Sequence, residues 1–491
     1  MITSPRLFTR LASAVSLTGL GSVITLGLSG LVGVAVARNG GPSGYAVFVA
    51  ANMIVFVTSV FCSVGMPLAL GKYVAAHEET GRRETLIKTN TTALLLLLSV
   101  VLVTSLALSY NLPRLEQHLN LVIGPGFALA FPLIMVCAVI SDAAQGIYFG
   151  LLRLGPVIAI SVSGPAAVVV YIIVRRLETT LPIWGAVAVL YITCGLVAVS
   201  LLFRDRLLGR PGPIKELKKI IGDLIPVAAF TFFTVFSAWS DRWIVGTQLG
   251  AVAMGSYAAA VVVIQTALRI PTHVAYLLVP ASSRAAWASR GNSTKLNSTT
   301  LNMFASFAAL MTLIILLASG SIVTVIFGPG FALAGPVLLI MAPGLIASAI
   351  SIPIMSVLTG SKKNRWVTYL LGLTLVPRIL MLMFFTRRWD LQGTAVAMVF
   401  SESLLALCCI LVARKIGIPF ELRKLMRPYL LALLAYGLGL LMVLLGLPKL
   451  VAAGAAAAVF VVSLWRFARP PYMEIFQNDP VVAGEQVVEQ S

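Results

Sequence analysis

Fourteen apolar stretches fill most of this 491-residue chain, at about 12–37, 45–70, 91–110, 121–150, 155–174, 183–203, 220–248, 253–279, 303–327, 331–359, 366–386, 392–413, 428–446 and 450–465. Each is long enough to cross a hydrocarbon core. There the backbone has no water to bond with and must satisfy its own polar groups, so spans of this kind are helices. With 59% hydrophobic residues, 11% charged and a mean hydropathy of +0.98, a soluble fold would have nothing to put on its surface. The expectation is an all-α polytopic membrane protein with 14 transmembrane helices.

The net charge of +19 would suggest nucleic acid in a soluble protein, but the placement of the charges argues otherwise. With the N-terminus on the cytoplasmic side, 26 of the 36 basic residues fall on inside connections and seven on outside ones. This is the positive-inside bias, so both termini are expected on the cytoplasmic side, and no nucleic-acid partner is expected. Arg6 and Arg10 before an apolar run ending Ala35-Val36-Ala37 imitate a signal peptide. That run is longer than a signal core and is followed by many more spans, so it reads as an uncleaved helix.

Two blocks of six spans, 12–203 and 220–413, are joined by a basic connector at 204–219. A further hairpin, 428–465, and a cytoplasmic tail, 466–491, follow. Gly124-Pro-Gly-Phe-Ala-Leu-Ala opens span 4, and Gly328-Pro-Gly-Phe-Ala-Leu-Ala opens span 10, its positional counterpart. An even number of spans per block makes the repeat parallel, two six-helix bundles related by a pseudo-two-fold axis along the membrane normal, as in alternating-access transporters. Outside connections are too short for an exported catalytic domain, and the inside ones too short for a nucleotide-binding domain. No Walker pattern occurs. The chain therefore reads as a gradient-driven transporter rather than an enzyme. The five cysteines lie inside spans and the three histidines are scattered, so no metal or cofactor is expected.

Ala37-Arg38-Asn39-Gly40-Gly41-Pro42-Ser43-Gly44-Tyr45 resembles the segment between the first two spans of polysaccharide flippases. These are the O-antigen type members of the multidrug/oligosaccharidyl-lipid/polysaccharide (MOP) exporter superfamily. Val64-Gly65-Met66-Pro67-Leu68 with Lys72-Tyr73, Ser240-Asp241-Arg242-Trp243-Ile244-Val245-Gly246, Gly255-Ser256-Tyr257 and Gly393-Thr394-Ala395-Val396-Ala397 are similar to further motifs of that family, in order along the chain. The resemblance implies a V-shaped pair of bundles carrying an undecaprenyl-diphosphate-linked glycan from the inner to the outer leaflet. It also implies that spans 1, 2, 7 and 8 face the central cavity. Membrane lipids and other polysaccharide assembly proteins are the implied partners.

Ionisable residues at membrane depth are costly and therefore candidates for function. Gln265, Arg269 and His273 recur every four residues and stack on one face of span 8. Arg269 is read as a diphosphate ligand through its planar fork of donors, with an ion-pair strut as the alternative. Pro271, between them, is expected to break the helix. Arg242 is a second candidate substrate residue, with snorkelling to the interface as its alternative. Asp241 beside it projects roughly 100° away around the helix, so the two need not pair; it reads as a structural residue or as a gating or proton site. Arg378 and Glu402, at matching depth on spans 11 and 12, read as an ion pair or a protonatable switch, and Asp142, near Gln145, as a proton site or a neutral hydrogen-bonded group. The uncharged final hairpin is either a groove for a polyprenyl tail or plain packing surface.

The leading function is therefore a lipid-linked oligosaccharide or polysaccharide flippase, with a flippase of the peptidoglycan lipid precursor as the near alternative. A drug/ion antiporter of the same superfamily and a membrane-embedded enzyme on lipid-linked sugars are the more distant ones.

Overall fold

The computed structural model describes residues 5–79, 82–177, 181–288, 290–360, 363–417 and 426–467. Among them the secondary structure is helical throughout. In chain order it comprises α1 Pro5–Ser63, α2 Met66–Glu79, α3 Arg83–His118, α4 Pro125–Gly150, α5 Leu154–Leu177, α6 Gly185–Arg204, α7 Ile214–Leu249 and α8 Ala251–Ala288. There follow α9 Arg290–Phe327, a 3₁₀ turn Pro329–Phe331, α10 Ala334–Met341, α11 Gly344–Gly360, α12 Asn364–Ile416, α13 Met426–Leu444 and α14 Lys449–Phe467.

Nine stretches among the described residues are long and apolar enough to cross a membrane, or ten if the bent α10–α11 pair counts as one. The chain is a multi-pass membrane protein. Two of these stretches are too long for one crossing. Arg365–Ile416, at 52 residues, would run about 78 Å as a straight helix, more than twice a hydrocarbon core of ~30 Å. Its helical backbone breaks at Trp389 and Asp390, where Asp390 has φ 50°. Gly393 permits the tight approach here, since a Cβ would collide with the Phe385 carbonyl, and the buried Thr386 and Thr394 hydroxyls bond across the break at 2.8 Å. Gly27–Ser63 breaks in the same manner at Gly41, whose φ of 62° suits glycine, just before Pro42. The two expected inter-span connections at 38–44 and 387–391 are thus tight corners within continuous helical runs.

The chain divides into two compact units. The first holds the described residues up to Val262 together with Val323–Ala334 and Leu371–Thr394; the second holds Val263–Ile322, Gly335–Leu370 and the described residues from Ala395 onward. In the first unit α4 is central, packing on α2, α3 and α6, while α5 packs on α1 and α6. Helices in lipid associate through close backbone approach at small residues. Here Gly146 and Gly150 of α4 lie against Pro67 and Gly71 of α2, so closely that a Cβ at Gly146 would strike the Pro67 carbonyl and one at Gly150 the Gly71 carbonyl. In the second unit α13 and α14 pack on each other and on α9, with Leu313, Leu317, Ala435, Ala453, Ala456 and Phe460 buried together. The final hairpin therefore has a packing role within its unit.

The duplicated heptapeptide takes one local conformation twice. Gly124 (φ 113°, ψ 156°) and Gly328 (φ 100°, ψ 172°) both precede proline in the first position of a helical turn. In each, the phenylalanine N–H three residues on donates to the glycine carbonyl, at 3.1 Å for Phe127 and 3.3 Å for Phe331, and both rings are buried. The elements that follow differ: α4 runs unbroken to Gly150, whereas the second copy leads into the bent α10–α11 pair.

Candidate functional site

The motif residues first build architecture. Arg38 donates from Nε to the Ile326 carbonyl at 2.9 Å and from Nη2 to the Val325 carbonyl. It thereby satisfies carbonyls at the end of α9, which have no partners in their own helix. Tyr45, 2% exposed, sets its ring 6.2 Å from Phe327 and 6.1 Å from Phe331, on the turn opened by Gly328. Gly255 leaves room for the Pro42 carbonyl, which a Cβ would strike. Three segments far apart in sequence are thus clasped together within the first unit.

The charged motif of α7 is part of the same unit. Asp241 is 1% exposed and Arg242 5%. Asp241 Oδ1 accepts the Arg242 backbone N–H at 2.8 Å and Arg242 Nη1 at 3.2 Å, and its Oδ2 accepts the Tyr257 hydroxyl at 3.0 Å. Arg242 also donates to the Ala238 carbonyl and lies 4.8 Å from the Trp239 ring centroid. The two neighbours pair although their Cα–Cβ bonds diverge. A long side chain on a helix folds back over the preceding turn, and that brings the guanidinium level with the carboxylate. The sequence reading missed this pairing because helical spacing locates Cβ atoms and not the end of a flexible arginine. Arg378, 8% exposed and also in the first unit, lies near enough for its charge to act on the Tyr257 phenol.

A cavity of about 1270 Å³ opens in the first unit between α1, α2, α4 and α7. Asp142, Gln145, Gly146, Phe149 and Gly150 give it one stripe of α4, at helical spacing. Lys72 and Glu78 reach it from α2, Ser63 from the end of α1, Thr231 from α7 and Arg153 from the α4–α5 turn. Asp142 is half-buried, and Ser161 donates to Gln145 Oε1 at 3.3 Å. Tyr73, next to Lys72, fixes the roll of α2 through a 3.1 Å hydrogen bond between its hydroxyl and that of Thr89. Of the sequence candidates the structure brings Asp142 into this cavity, and it adds Lys72, which stands in the Lys72-Tyr73 motif, and Arg153, which no motif marks. The Lys72-Tyr73 motif was the available clue.

The other candidates fall in the second unit. Gln265 and Arg269 are both solvent-accessible on α8, and α8 continues through Pro271 without a break in its helical backbone. The helix thus runs on past the proline, where the sequence expectation is a break. The side chain of His273 lies outside the described residues. Glu402 Oε2 accepts the Ser348 hydroxyl at 3.4 Å, and Glu402 belongs to the second unit whereas Arg378 belongs to the first.

A many-times-crossing helical chain with a large, partly polar cavity between its helices has the architecture of a membrane transporter. Residues 11–286, more than half of the chain, match the family described as polysaccharide biosynthesis protein, and the chain belongs to that family. Its fold is that of the MOP superfamily. It is similar to lipid II flippase MurJ in an inward closed conformation, with a TM-score of 0.76 and 14% identity over 93% of this chain and 99% of that one. It is also similar to an inward-facing multidrug resistance MATE transporter, with a TM-score of 0.66 and 14% identity over 80% and 94% of the two chains. A third likeness is to a MOP superfamily transporter from Pyrococcus furiosus, with a TM-score of 0.58 and 14% identity over 82% and 95%. No curated protein matches the sequence. The proteins it resembles are transporters and flippases, not enzymes.

Proposed function

We propose that this protein is a flippase that moves an undecaprenyl-diphosphate-linked oligosaccharide or polysaccharide unit from the inner to the outer leaflet of the bacterial inner membrane by alternating access, with both termini in the cytoplasm. The observation that carries this reading is family membership across 11–286. A cavity of about 1270 Å³ supports it. Lys72, Arg153, Gln145 and Ser63 stand there beside Asp142 and Glu78 on a largely apolar lining, which gives room and polar groups for a sugar-phosphate on a lipid tail. Arg269 is the proposed diphosphate ligand, with Gln265 and His273 on the same helical stripe. Asp142, Glu402 and Arg378 are the proposed coupling or gating groups. Arg242, read from the sequence as a substrate residue, is buried against Asp241, which is the proposed gating group with Arg242 as its counter-charge. Two six-helix repeats, 12–203 and 220–413, with the hairpin 428–465 and the tail 466–491, complete the reading, and the shared conformation of Gly124 and Gly328 supports it.

The second reading, a flippase of the peptidoglycan lipid precursor, is favoured by the likeness to MurJ over 93% of the chain. Proteoliposomes loaded in parallel with an undecaprenyl-diphosphate-linked glycan and with lipid II, read by protection of the sugar from an external enzyme, separate the two. Translocation of neither lipid by the reconstituted protein would end both readings. In the same assay Arg269→Ala is expected to abolish transport and Arg269→Lys to restore part of it, because an ammonium keeps the charge and loses the fork. Full transport by Arg269→Ala leaves Arg269 a strut.

A further inference from the structure

The α4–α5 turn presents one arginine to the cavity, and two residues outside the proposed site hold it there. α4 ends in a Schellman turn, in which Leu152 N–H donates to the Phe149 carbonyl at 3.1 Å and Arg153 N–H to the Tyr148 carbonyl at 3.0 Å. The left-handed position of such a turn usually carries glycine, yet here it is Leu152 with φ 55°. Strained backbone of this kind is kept where surrounding contacts over-determine it, and it gathers at functional sites. Tyr148, fully buried, therefore fixes the Arg153 backbone through its carbonyl. Its hydroxyl points to the other end of the problem, donating to Asp205 Oδ2 at 3.2 Å.

Asp205 caps α6 and is 13% exposed on its side chain. It takes Arg204 Nε on Oδ1 at 3.1 Å and faces Arg153 Nη1 from Oδ2 at 3.6 Å. The connector that follows is stapled to α3. Gly209 N–H donates to Thr91 Oγ1 at 2.9 Å and Gly212 N–H to Thr92 Oγ1 at 2.8 Å, so the carboxylate is anchored on both flanks. One nitrogen of Arg153 faces this fixed anion at 3.6 Å, and the residue also lines the cavity, where Lys72 is a second cation. Asp142 lies eight residues up α4 from Gly150, or about 12 Å deeper, so the end of the cavity near the turn is the one suited to an anion. Glu78 of α2 also lines the cavity, so its charge is mixed rather than uniformly cationic.

We infer that Arg153 binds a diphosphate group at the α4–α5 end of the cavity, and that Tyr148 and Asp205 are its positioning residues. This rests on the proposed flippase function.

The test is binding of undecaprenyl diphosphate to the full-length protein in nanodiscs, with inorganic pyrophosphate as competitor. Arg153→Ala is expected to weaken binding about tenfold and Arg153→Lys less, as for loss of a charge-assisted bond against loss of its geometry alone. Tyr148→Phe and Asp205→Asn should each cost about three- to fivefold in the wild-type background and nothing further in Arg153→Ala, because residues acting through one group are not additive. In transport the same two variants should raise KM and leave the maximal rate unchanged, a split that general loosening of the fold does not produce. Pyrophosphate should compete. Unchanged binding by Arg153→Ala or Arg153→Lys overturns the inference, as does an equal loss from Tyr148→Phe with and without Arg153, or failure of pyrophosphate to compete. Failure of the wild-type protein to bind or move any diphosphate lipid removes the functional reading instead.

Discussion

The Tyr257 hydroxyl donates to Asp241 Oδ2 at 3.0 Å while Arg242 Nη1 donates to Oδ1 of the same carboxylate at 3.2 Å, with all three side chains buried. Two motifs sixteen residues apart in sequence, at the end of α7 and the start of α8, are thus one hydrogen-bonded network. Removing one partner of a buried pair leaves a charge uncompensated, whereas removing a neutral donor loses one hydrogen bond. Asp241→Ala is therefore expected to cost about 3–5 kcal/mol and Tyr257→Phe about 1 kcal/mol. Thermal unfolding of the detergent-solubilised protein reads the ranking, and equal effects would mean that the network does not hold the first unit together.

Asp205 gives a pH dependence. Burial alone would raise its pKa, but hydrogen bonds from Arg204 and Tyr148 and the charges of Arg204 and Arg153 outweigh burial and hold it below the usual carboxylate range. A pKa depressed in the folded state adds stability that is fully present above the unfolded value of about 3.9 and is lost as pH falls through the folded value. Asp205→Asn should therefore lower the unfolding temperature at neutral pH. The gap to wild type should close below that window, and a gap constant with pH would refute the assignment.

The α2–α4 crossing depends on absent side chains. Gly146→Ala places a methyl on the Pro67 carbonyl, a backbone atom that cannot swing aside, and is expected to destabilise by about 2 kcal/mol or more. Gly30→Ala, with nothing within 4 Å of the new Cβ, should be neutral or stabilising by up to about 1 kcal/mol. Chemical unfolding of the two variants side by side checks the contrast.

Topology remains a matter of charge bias and can be read directly. Reporter fusions at Asn120, Leu181 and Asp390 should mark the periplasm, and those at Thr80, Gly212 and Ser361 the cytoplasm. Any one fusion reporting the other side would shift the register of every span beyond it.

The sequence alone determined the class of fold. Runs of apolar residues this long have one stable solution in lipid, so the chain is helical as hydropathy predicts, although α2 at Met66–Glu79 runs past the expected end of its span at 70. Gly41-Pro42 marks a corner because glycine takes the positive φ that turns the helix there. The repeated Gly-Pro-Gly-Phe was legible for the same reason: positive φ, fixed proline φ and a buried ring are local properties. What the tertiary structure decided was which charges meet. The glycine-mediated contact of α2 with α4 puts Lys72 and Arg153 on one cavity, which neither the Lys72-Tyr73 motif nor the charge bias encodes. The Asp241–Arg242 pair could not be read from helical angles, since the reach of an arginine spans more than a turn. Tyr148, Arg153 and Asp205 come from three separate elements, and only the packing of α4 on α6 brings them together. Helix formation in lipid is set by local composition, whereas a polar site is set by side-chain ends converging across helices, and linear spacing does not encode that convergence.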